Sequence, residues 1–209
     1  MLEAQSSPWI GPVTLENSIV RLVPLEPAHA TALGEAASDG RLWELWYTTI
    51  PRPHEMPAEI ERRLGLQRQG SMLPFTVIYR RSGRIVGQTT FMNIDAENRR
   101  LEIGSTWYAA GAQRTAINTA SKLLLLTHAF ETLDCMAVEF RTSWFNVRSR
   151  RAIERLGAKQ DGVLRHHMYH QDGTIRDTVV FSIIAPEWPS VRANLSLRMR
   201  EAQESRHSE

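Results

Sequence analysis

Residues 102–130, EIGSTWYAAGAQRTAINTASKLLLLTHAF, contain the strand, loop and helix around which the rest of the chain can be placed. Side chains alternate at a period of two over residues 101–108, which predicts a β-strand. A loop covers residues 109–115, and a leucine-rich apolar helix follows it. The first turn of a helix has unpaired N–H groups and a partial positive charge. The segment therefore predicts an anion site at the beginning of the helix, where Gln113 and Arg114 stand.

Composition predicts one globular domain rather than a membrane, secreted or fibrous protein. The chain has 209 residues, a formal net charge of +2 and no apolar run long enough to span a bilayer. The N-terminus does not resemble a secretory signal, and Cys135 is the only cysteine, so we expect no internal disulfide and a reducing cytoplasm. Basic residues outnumber acidic ones between Arg141 and Arg165, which suits a partner that carries phosphate.

Periodicity along the chain predicts an α/β (α+β) fold with a mixed, mostly antiparallel sheet of about seven strands flanked by helices. We expect an N-terminal arm over residues 1–17, one domain over 18–185, and a C-terminal helix with a polar, disordered tail over 186–209. The predicted strands cover residues 18–23, 75–79, 84–93, 101–108, 136–142, 163–170 and 178–184. The predicted helices cover residues 26–37, 58–69, 146–156 and 186–199, besides the one in the opening segment.

The opening segment resembles the acyl-CoA site of the GNAT (GCN5-related) N-acetyltransferases, and the closest likeness is to the RimJ/RimL-like branch. The family pattern is Arg or Gln, two variable residues, Gly, one variable residue, then Gly or Ala. Gln113 matches its first position, whereas Ala116 and Asn118 replace the small residues. Glycine lets backbone N–H groups approach a pyrophosphate closely, so these replacements imply weaker or shifted cofactor binding. Asn118 could hydrogen-bond the cofactor or cap the helix.

The resemblance implies a fold in which the fourth and fifth predicted strands splay apart and admit the pantetheine arm of the cofactor. It implies that the backbone at the end of the fourth strand pairs with the pantetheine amides, and that the following loop and helix hold the phosphates. The implied cofactor-binding residues are Trp107, Tyr108, Gln113, Arg114, Thr115, Ala116, Ile117, Asn118, Thr119, Asn146, Ser149 and Arg151. Arg155 is a further candidate for the phosphates, and a solvated surface is the alternative for these arginines.

The segment NVRSRRAIERLGA, which begins at Asn146, resembles a second motif of the family, Asn-x-x-Ser followed by a helix and Leu-Gly. A spacing of three places Asn146 and Ser149 on one face of the helix. The resemblance implies that Asn146 hydrogen-bonds the pantetheine or acetyl region and that Ser149 returns a proton to the sulfur. Asn146 is also an excellent N-cap residue, and both roles can hold at once.

Glu102 is the candidate general base, because a carboxylate beside an apolar stretch can have a pKa raised towards neutrality. The alternatives are a structural ion pair of Glu102 with Arg99 or Arg100, and Glu139 as the base instead.

Other chemistry-bearing residues favour structural roles. The three histidines between positions 166 and 170 have no cysteine or close carboxylate to complete a zinc site, so no metal is expected. Cys135 is interpreted as a small buried hydrophobe. Trp43 and Trp46 are interpreted as core or interface residues, or as a cover over the acceptor side of the cleft.

The resemblance implies an acyl-CoA-dependent N-acetyltransferase in which an amine, from a protein N-terminus or a small molecule, attacks acetyl-CoA directly in a ternary complex. The alternative is a catalytically altered relative that uses another acyl-CoA or acts as a non-catalytic binding or regulatory module. A nucleic-acid-binding role for the basic stretch is disfavoured, because aromatic residues are not interleaved with the arginines. No membrane partner is expected, and the tryptophans leave room for a homodimer.

Overall fold

The computed structural model describes residues 9–204, which form an eight-stranded sheet in the order β1-β2-β3-β4-β5-β6-β8-β7. Neighbouring strands are antiparallel except β5 and β6, which run parallel. The strands are β1 (Leu15–Glu16), β2 (Val20–Pro24), β3 (Met72–Tyr79), β4 (Arg84–Asp95), β5 (Arg100–Tyr108), β6 (Ala137–Ser143), β7 (Lys159–Tyr169) and β8 (Ile175–Ile184). The predicted fold class is confirmed.

Five α-helices cover the sheet. They are α1 (Ala30–Ser38), α2 (Met56–Arg68), α3 (Ala116–Thr127), α4 (Val147–Leu156) and α5 (Trp188–Glu204). A π-helical turn, His128–Thr132, extends α3, and short 3-10 turns precede α1, α2 and α5. The glycine predicted to end the fourth helix, Gly157, has a left-handed backbone with φ of 102° and gives α4 its C-cap.

The helices lie on both faces of the sheet, as two adjacent residues of β4 demonstrate. Thr89 contacts Lys122 of α3, whereas Thr90 contacts Arg63 of α2. Consecutive residues of a strand point to opposite faces. One face therefore packs against α3 and α5, which contact each other, and the other packs against α1 and α2. We call these the α3 face and the α2 face.

The parallel pair β5 and β6 diverges after three residues. Arg100, Leu101 and Glu102 pair with Ala137, Val138 and Glu139, and no further pairing joins the two strands. β5 continues to Tyr108 and β6 to Ser143, so a V-shaped gap opens directly after Glu102. The splay predicted between these two strands is present in the structure. Because the strands are parallel, the helices that follow them, α3 and α4, both begin at the mouth of the gap.

Two expectations at the chain ends differ from the structure. Leu15–Glu16, within the expected arm, adds an eighth strand by pairing with β2. Trp9 serves as the anchor of the arm that the sequence suggests, because it donates its indole N–H to the carbonyl of Leu133 at 3.0 Å. The prediction that helix ends near Met199 and gives way to a disordered tail was wrong for residues 200–204. Met199 is buried, and the Arg, Glu and Ala residues that follow are good helix formers. Residues 1–8 and 205–209, which include the rest of both predictions, lie outside the described residues.

Candidate active site

Glu102 lies at the apex of the gap, on the α2 face, and is 5% exposed. Asn93 donates its side-chain amide N–H to Glu102 Oε2 at 2.7 Å, and Arg141 Nε lies 3.7 Å from the same oxygen. The interpretation of Glu102 as the partner of Arg99 or Arg100 was wrong. Arg99 pairs with Asp134 and Arg100 pairs with Glu139, because both arginines lie beyond the apex at the paired end of the strands.

Burial raises the pKa of Glu102 above its ordinary value, with a smaller contribution from the charge of Glu139. The Asn93 amide and the guanidinium groups of Arg141 and Arg176 oppose this effect. Glu139 differs, because it forms ion pairs with both Arg100 and Arg141, the latter at 2.9 Å. Glu102 therefore has the electrostatic character expected of a general base, and Glu139 has that of an ion-pair partner.

Gly104 makes room for this carboxylate. A Cβ atom on Gly104 would lie 2.7 Å from Glu102 Oε1 and 2.6 Å from Met92 Sδ, both closer than van der Waals contact. The next residue, Ser105, has a φ of 46°, and the register between β4 and β5 shifts there. This bulge changes the direction of β5 where the gap opens.

A pocket of about 460 Å³ is lined by Glu102. Its charged lining residues are Asp95, Arg100, Glu102, Glu139 and Arg141. An amine could therefore approach the carboxylate from the solvent side of the sheet.

The loop before α3 is held in a defined conformation. Thr115 is the N-cap of α3: its hydroxyl accepts from the N–H of Ile117 at 3.3 Å and donates to the carbonyl of Ala112 at 2.7 Å. Gln113 donates its side-chain N–H to the carbonyl of Tyr108 at 2.9 Å, which ties the loop to the end of β5. Arg114 is exposed and has a left-handed backbone with φ of 59°. Its guanidinium is free to reach a ligand at the helix N-terminus.

The first turn of α3 consists of Ala116, Ile117, Asn118 and Thr119. The interpretation of Asn118 as the helix cap was wrong, because Thr115 occupies that position and Asn118 lies inside the first turn. Neither Ala116 nor Asn118 has a positive φ, so the turn does not need the conformational freedom of glycine. Ile117 is 2% exposed, and only its backbone could contact a ligand.

Trp107 and Tyr108 form the end of β5 along the gap. Both side chains are buried, and Trp107 donates its indole N–H to Gln88 Oε1 at 3.3 Å. Beyond Glu102 this edge of β5 has no strand partner among the described residues, so backbone groups there can pair with an extended ligand.

On the other side of the mouth, Asn146 is the N-cap of α4. Its side-chain oxygen accepts from the N–H of Ser149 at 3.1 Å, so the expected capping role is confirmed. Ser149 is half-buried in the first turn, and Arg151 is exposed on the next. The two helix N-termini thus flank one opening, and their partial positive charges add at the place where phosphates would lie.

Aromatic side chains from three loops meet in one cluster. The ring centroid of Trp46 lies 5.4 Å from that of Phe145 and 4.9 Å from that of His170. Trp46 and Phe145 are both exposed. Trp43 lies further out, with the guanidinium of Arg52 5.9 Å from its ring centroid. The exposure of Trp46 excludes it from the core, and its role as a cover over the acceptor side stays a prediction.

The cysteine and the histidines that the sequence analysis singled out have structural contacts. Cys135 is 1% exposed, and burial raises the pKa of its thiol to about 12, which confirms its interpretation as a buried apolar side chain. His167 Nδ1 lies 3.1 Å from the hydroxyl of Thr178, and His170 contacts Trp46. Within residues 9–204 no three side chains of His, Cys, Asp or Glu converge as a metal site would require. Over the same range no helix has the length and hydropathy needed to cross a membrane.

Two residues that sequence reasoning missed support the site. Asp39, after α1, accepts from the N–H of Gly111 through its carboxylate at 2.8 Å and from the N–H of Ala110 through its carbonyl at 3.1 Å. These bonds join the segment that follows α1 to the loop before α3. The other residue is Lys122, a buried lysine on α3. Asp39 follows a serine in a turn and Lys122 lies in an ordinary helix, so only long-range contacts distinguish them.

Comparison with known proteins agrees with this geometry. Residues 20–159 match the family described as acetyltransferase (GNAT) domain, which is more than half of the chain. A crystal structure of a GCN5-related N-acetyltransferase from Brucella melitensis superposes with a TM-score of 0.81 at 29% identity, covering 91% of this chain and 86% of that one. The chain belongs to the GNAT acetyltransferase family.

Two further similarities concern N-acetyltransferases of the RimJ/RimL type. The candidate ribosomal N-acetyltransferase YdaF of Bacillus subtilis (strain 168) is 34% identical over 106 residues, which is 51% of this chain and 57% of YdaF. The structure of Mycobacterium smegmatis RimJ in complex with CoA-disulfide shares the fold, with a TM-score of 0.75 at 24% identity over 91% of this chain and 94% of RimJ. The chain is therefore similar to proteins of the RimJ/RimL type, and its match spans little more than half of YdaF.

Proposed function

We propose that this chain transfers an acetyl group from acetyl-CoA to a primary amine, and that the amine is the N-terminus of a protein. The observation that carries the proposal is the gap between β5 and β6. It ends at the buried carboxylate of Glu102 and opens between the N-termini of α3 and α4. No other part of residues 9–204 combines an extended unpaired strand edge, two helix N-termini and a carboxylate with a raised pKa.

The bound cofactor would lie across the mouth and along the gap. The backbone N–H groups of Ala116–Thr119 and the guanidinium groups of Arg114 and Arg151 would hold the phosphates. The backbone of Trp107 and Tyr108 would pair with the pantetheine amides. The thioester would then point towards Glu102.

Acyl transfer requires a deprotonated amine, stabilisation of the charge that develops on the carbonyl oxygen, and a proton for the sulfur. Glu102 would accept the proton of the attacking amine, directly or through water. Ser149 is the proposed proton donor to the sulfur, and Asn146, besides capping α4, would orient it. A direct attack forms the C–N bond and breaks the C–S bond without a covalent enzyme intermediate.

The proposal of a protein amine as acceptor rests on the open α2 side of the site. The pocket at Glu102 is lined by charges of both signs. The exposed rings of Trp46 and Phe145 are accessible to an extended chain, whereas His170 is buried against Trp46. The name of YdaF points to the same class of acceptor. A protein of this kind would act in the cytoplasm, where Cys135 stays reduced.

The alternative is a relative that binds a different acyl-CoA or has lost catalysis, as the replacements at positions 116 and 118 suggest. The helical backbone of Ala116 and Asn118 supports the retention of a phosphate site, since an alanine N–H is as able to donate as a glycine N–H. If the pyrophosphate lies there, Ala116→Gly should strengthen CoA binding.

The first test is calorimetric titration of the full chain with acetyl-CoA and with CoA. Arg114→Glu should weaken binding about 10- to 100-fold, because a charge-assisted hydrogen bond contributes about 1.5–3 kcal/mol. Arg198→Glu, on the exposed side of α5, is the matched control and should leave binding unchanged. Absence of binding to either ligand would contradict the proposal.

The second test compares acceptors at saturating acetyl-CoA. Short peptides with a free N-terminus should be acetylated, and the same peptides with a blocked N-terminus should not. Acetylation of polyamines or amino acids in preference to peptides would contradict the protein acceptor while leaving the acetyl transfer in place.

A further inference from the structure

Lys122 is a buried cation beside the proposed thioester site. The chain has 23 arginines and only two lysines, Lys122 and Lys159. Lys159 is on the surface and pairs with Glu187, whereas Lys122 is 5% exposed and extends from α3 into the sheet. Its ammonium donates to the hydroxyl of Thr106 at 2.6 Å and to that of Thr89 at 3.1 Å. The two hydroxyls also lie 2.8 Å from each other.

The surroundings of Lys122 contain hydroxyls but no countercharge. Burial alone lowers its pKa to about 7, with no carboxylate of the described residues opposing the shift. Two neutral titratable groups lie on this face, Tyr108, whose pKa burial raises, and His128, whose pKa burial lowers, and at its outer end Glu131 pairs with Arg192. Tyr108 and His128 are both neutral near pH 7. A buried charge without a partner is costly, so the fold retains a site that would be stabilised by an anion.

Thr106 connects this ammonium to the gap. It lies in the part of β5 that has lost its partner β6, four residues beyond the apex at Glu102. Thr106 is partly exposed, whereas Thr89 and Lys122 are buried. The hydroxyl of Thr106 is therefore the open end of a short hydrogen-bonded chain whose inner end is the ammonium.

We propose that Lys122 is a positioning residue for acyl transfer, a buried positive charge that acts through Thr106 to stabilise the anion formed in the gap. The inference rests on the proposed function. As the amine nitrogen bonds to the carbonyl carbon, negative charge develops on the oxygen. When the C–S bond breaks, the electron pair stays on the sulfur as a thiolate until Ser149 supplies its proton, and the amine proton passes to Glu102. The ammonium favours both anions without entering the gap.

The coupling between the two charges is reciprocal. A thiolate in the gap would raise the proton affinity of Lys122, just as protonated Lys122 lowers that of the thiol. Lysine suits this role better than arginine, because its proton affinity responds to burial and to nearby charge. Lys122 would thus be protonated when the anion is present.

The test is an ultraviolet titration of the thiol of CoA bound to the full chain, read as thiolate absorbance against pH. In the wild-type complex the thiol should ionise at least one pH unit lower than in the Lys122→Met complex, a tenfold difference in the ionisation constant. Methionine has a similar length and no charge, so the variant should fold and the pair Thr89 and Thr106 should remain. Lys159→Met removes the same charge at the surface and should leave the titration as in the wild type. Thr106→Val should produce part of the Lys122→Met effect.

The outcomes separate this inference from the proposed function. CoA binding with the same thiol titration in Lys122→Met as in the wild type would overturn the role of Lys122 and leave acetyl transfer intact. A lack of CoA binding by the wild-type chain would overturn both. Once an acceptor is known, Lys122→Met should lower kcat about tenfold while leaving the KM for acetyl-CoA nearly unchanged.

Discussion

The two faces of β5 carry oppositely charged groups with the same burial but different surroundings. Glu102 on the α2 face and Lys122 on the α3 face are each 5% exposed, and burial shifts the pKa of each towards the neutral form. Glu102 has an amide and a guanidinium as partners and a pocket that opens to solvent. Lys122 has two hydroxyls, and Lys122 and Thr89 are closed off from solvent.

This difference indicates two different uses of a buried charge. A carboxylate with access to solvent can accept a proton and release it, which is the work of a general base. An ammonium enclosed by hydroxyls exchanges protons less directly and acts through its field, which is stronger in a region of low dielectric constant. In the function proposed above, the strand between them would separate proton transfer from charge stabilisation.

The largest effect is expected from Glu102→Gln, which removes the buried carboxylate on the α2 face. Loss of a general base should lower kcat/KM for acetyl transfer about 10²- to 10⁴-fold while CoA binding is retained. In the wild type the rate should rise with pH through the raised pKa of Glu102, because the ionised form is the base, and this limb should vanish in the variant. Glu139→Gln is the control with a smaller expected effect. An unchanged rate in Glu102→Gln would exclude Glu102 as the base.

The next effect concerns stability and Lys122. The folded-state pKa of about 7 lies below the ordinary value of 10.5, so between these values the unfolded chain binds one more proton. The free energy of unfolding should therefore increase as the pH rises through this window. This added stability should be lost again as the pH falls towards 7. Between pH 7 and 9 the wild type should gain about 2–3 kcal/mol that Lys122→Met does not gain.

Urea denaturation at both pH values measures this difference. Lys122→Met should be more stable than the wild type at pH 7, because a buried unpaired charge has been removed. Equal pH dependence in the two proteins would show that Lys122 keeps an ordinary pKa. In that case Lys122 would not be the buried, unpaired counterpart of Glu102 on the other face of β5.

A smaller effect is expected from Gly104→Ala. The added Cβ would lie 2.7 Å from Glu102 Oε1 and 2.6 Å from Met92 Sδ, so the carboxylate has to move. We expect a loss of about 1–3 kcal/mol in the free energy of unfolding and a lower kcat, because a displaced catalytic group loses efficiency. Gly162→Ala in β7, where an added Cβ would meet no atom within 4 Å, is the matched control. Thermal melts and single-turnover rates of the two variants would decide the matter, and equal values would contradict a steric role for Gly104.

The smallest effect compares the two helix caps at the mouth of the gap. Thr115→Val and Asn146→Ala should each cost about 1 kcal/mol of stability, since each removes one N-cap hydrogen bond. If Asn146 also holds the cofactor or orients Ser149, its variant should lose acetyl-transfer rate beyond the loss in Thr115→Val. Equal losses of acetyl-transfer rate in both variants would show that Asn146 acts only as a helix cap.

The sequence was informative where local pattern and local structure coincide. Alternation over residues 101–108 predicted β5, and the preference of asparagine for N-cap positions predicted the cap of α4, in which Asn146 accepts from the N–H of Ser149. Glu102 was found as a candidate because of its apolar neighbours, and its burial and raised pKa agree with that reasoning. The roles in catalysis and cofactor binding stay predictions.

Where long-range contacts decide, the sequence was less informative. Arg99 and Arg100 are close to Glu102 in sequence but pair with Asp134 and Glu139, whereas Asn93 and Arg141 reach Glu102 from the neighbouring strands. Asn118 is a good capping residue, yet Thr115 takes the cap because the loop places it one residue before the helix. A partner across a sheet cannot be read from distance along the chain.

The sequence by itself determined the order of strands and helices and the family-like loop and helix, because side-chain periodicity and backbone preferences act within a few residues. Only the tertiary structure decided which charges meet and which are isolated. The three-residue pairing of β5 with β6 places Glu102 at the apex of the gap, and the packing of α3 on the sheet buries Lys122 against Thr89 and Thr106. The burial of a charged group and the partners that it meets depend on elements far apart in the chain. Burial and partners together set the pKa values of the site.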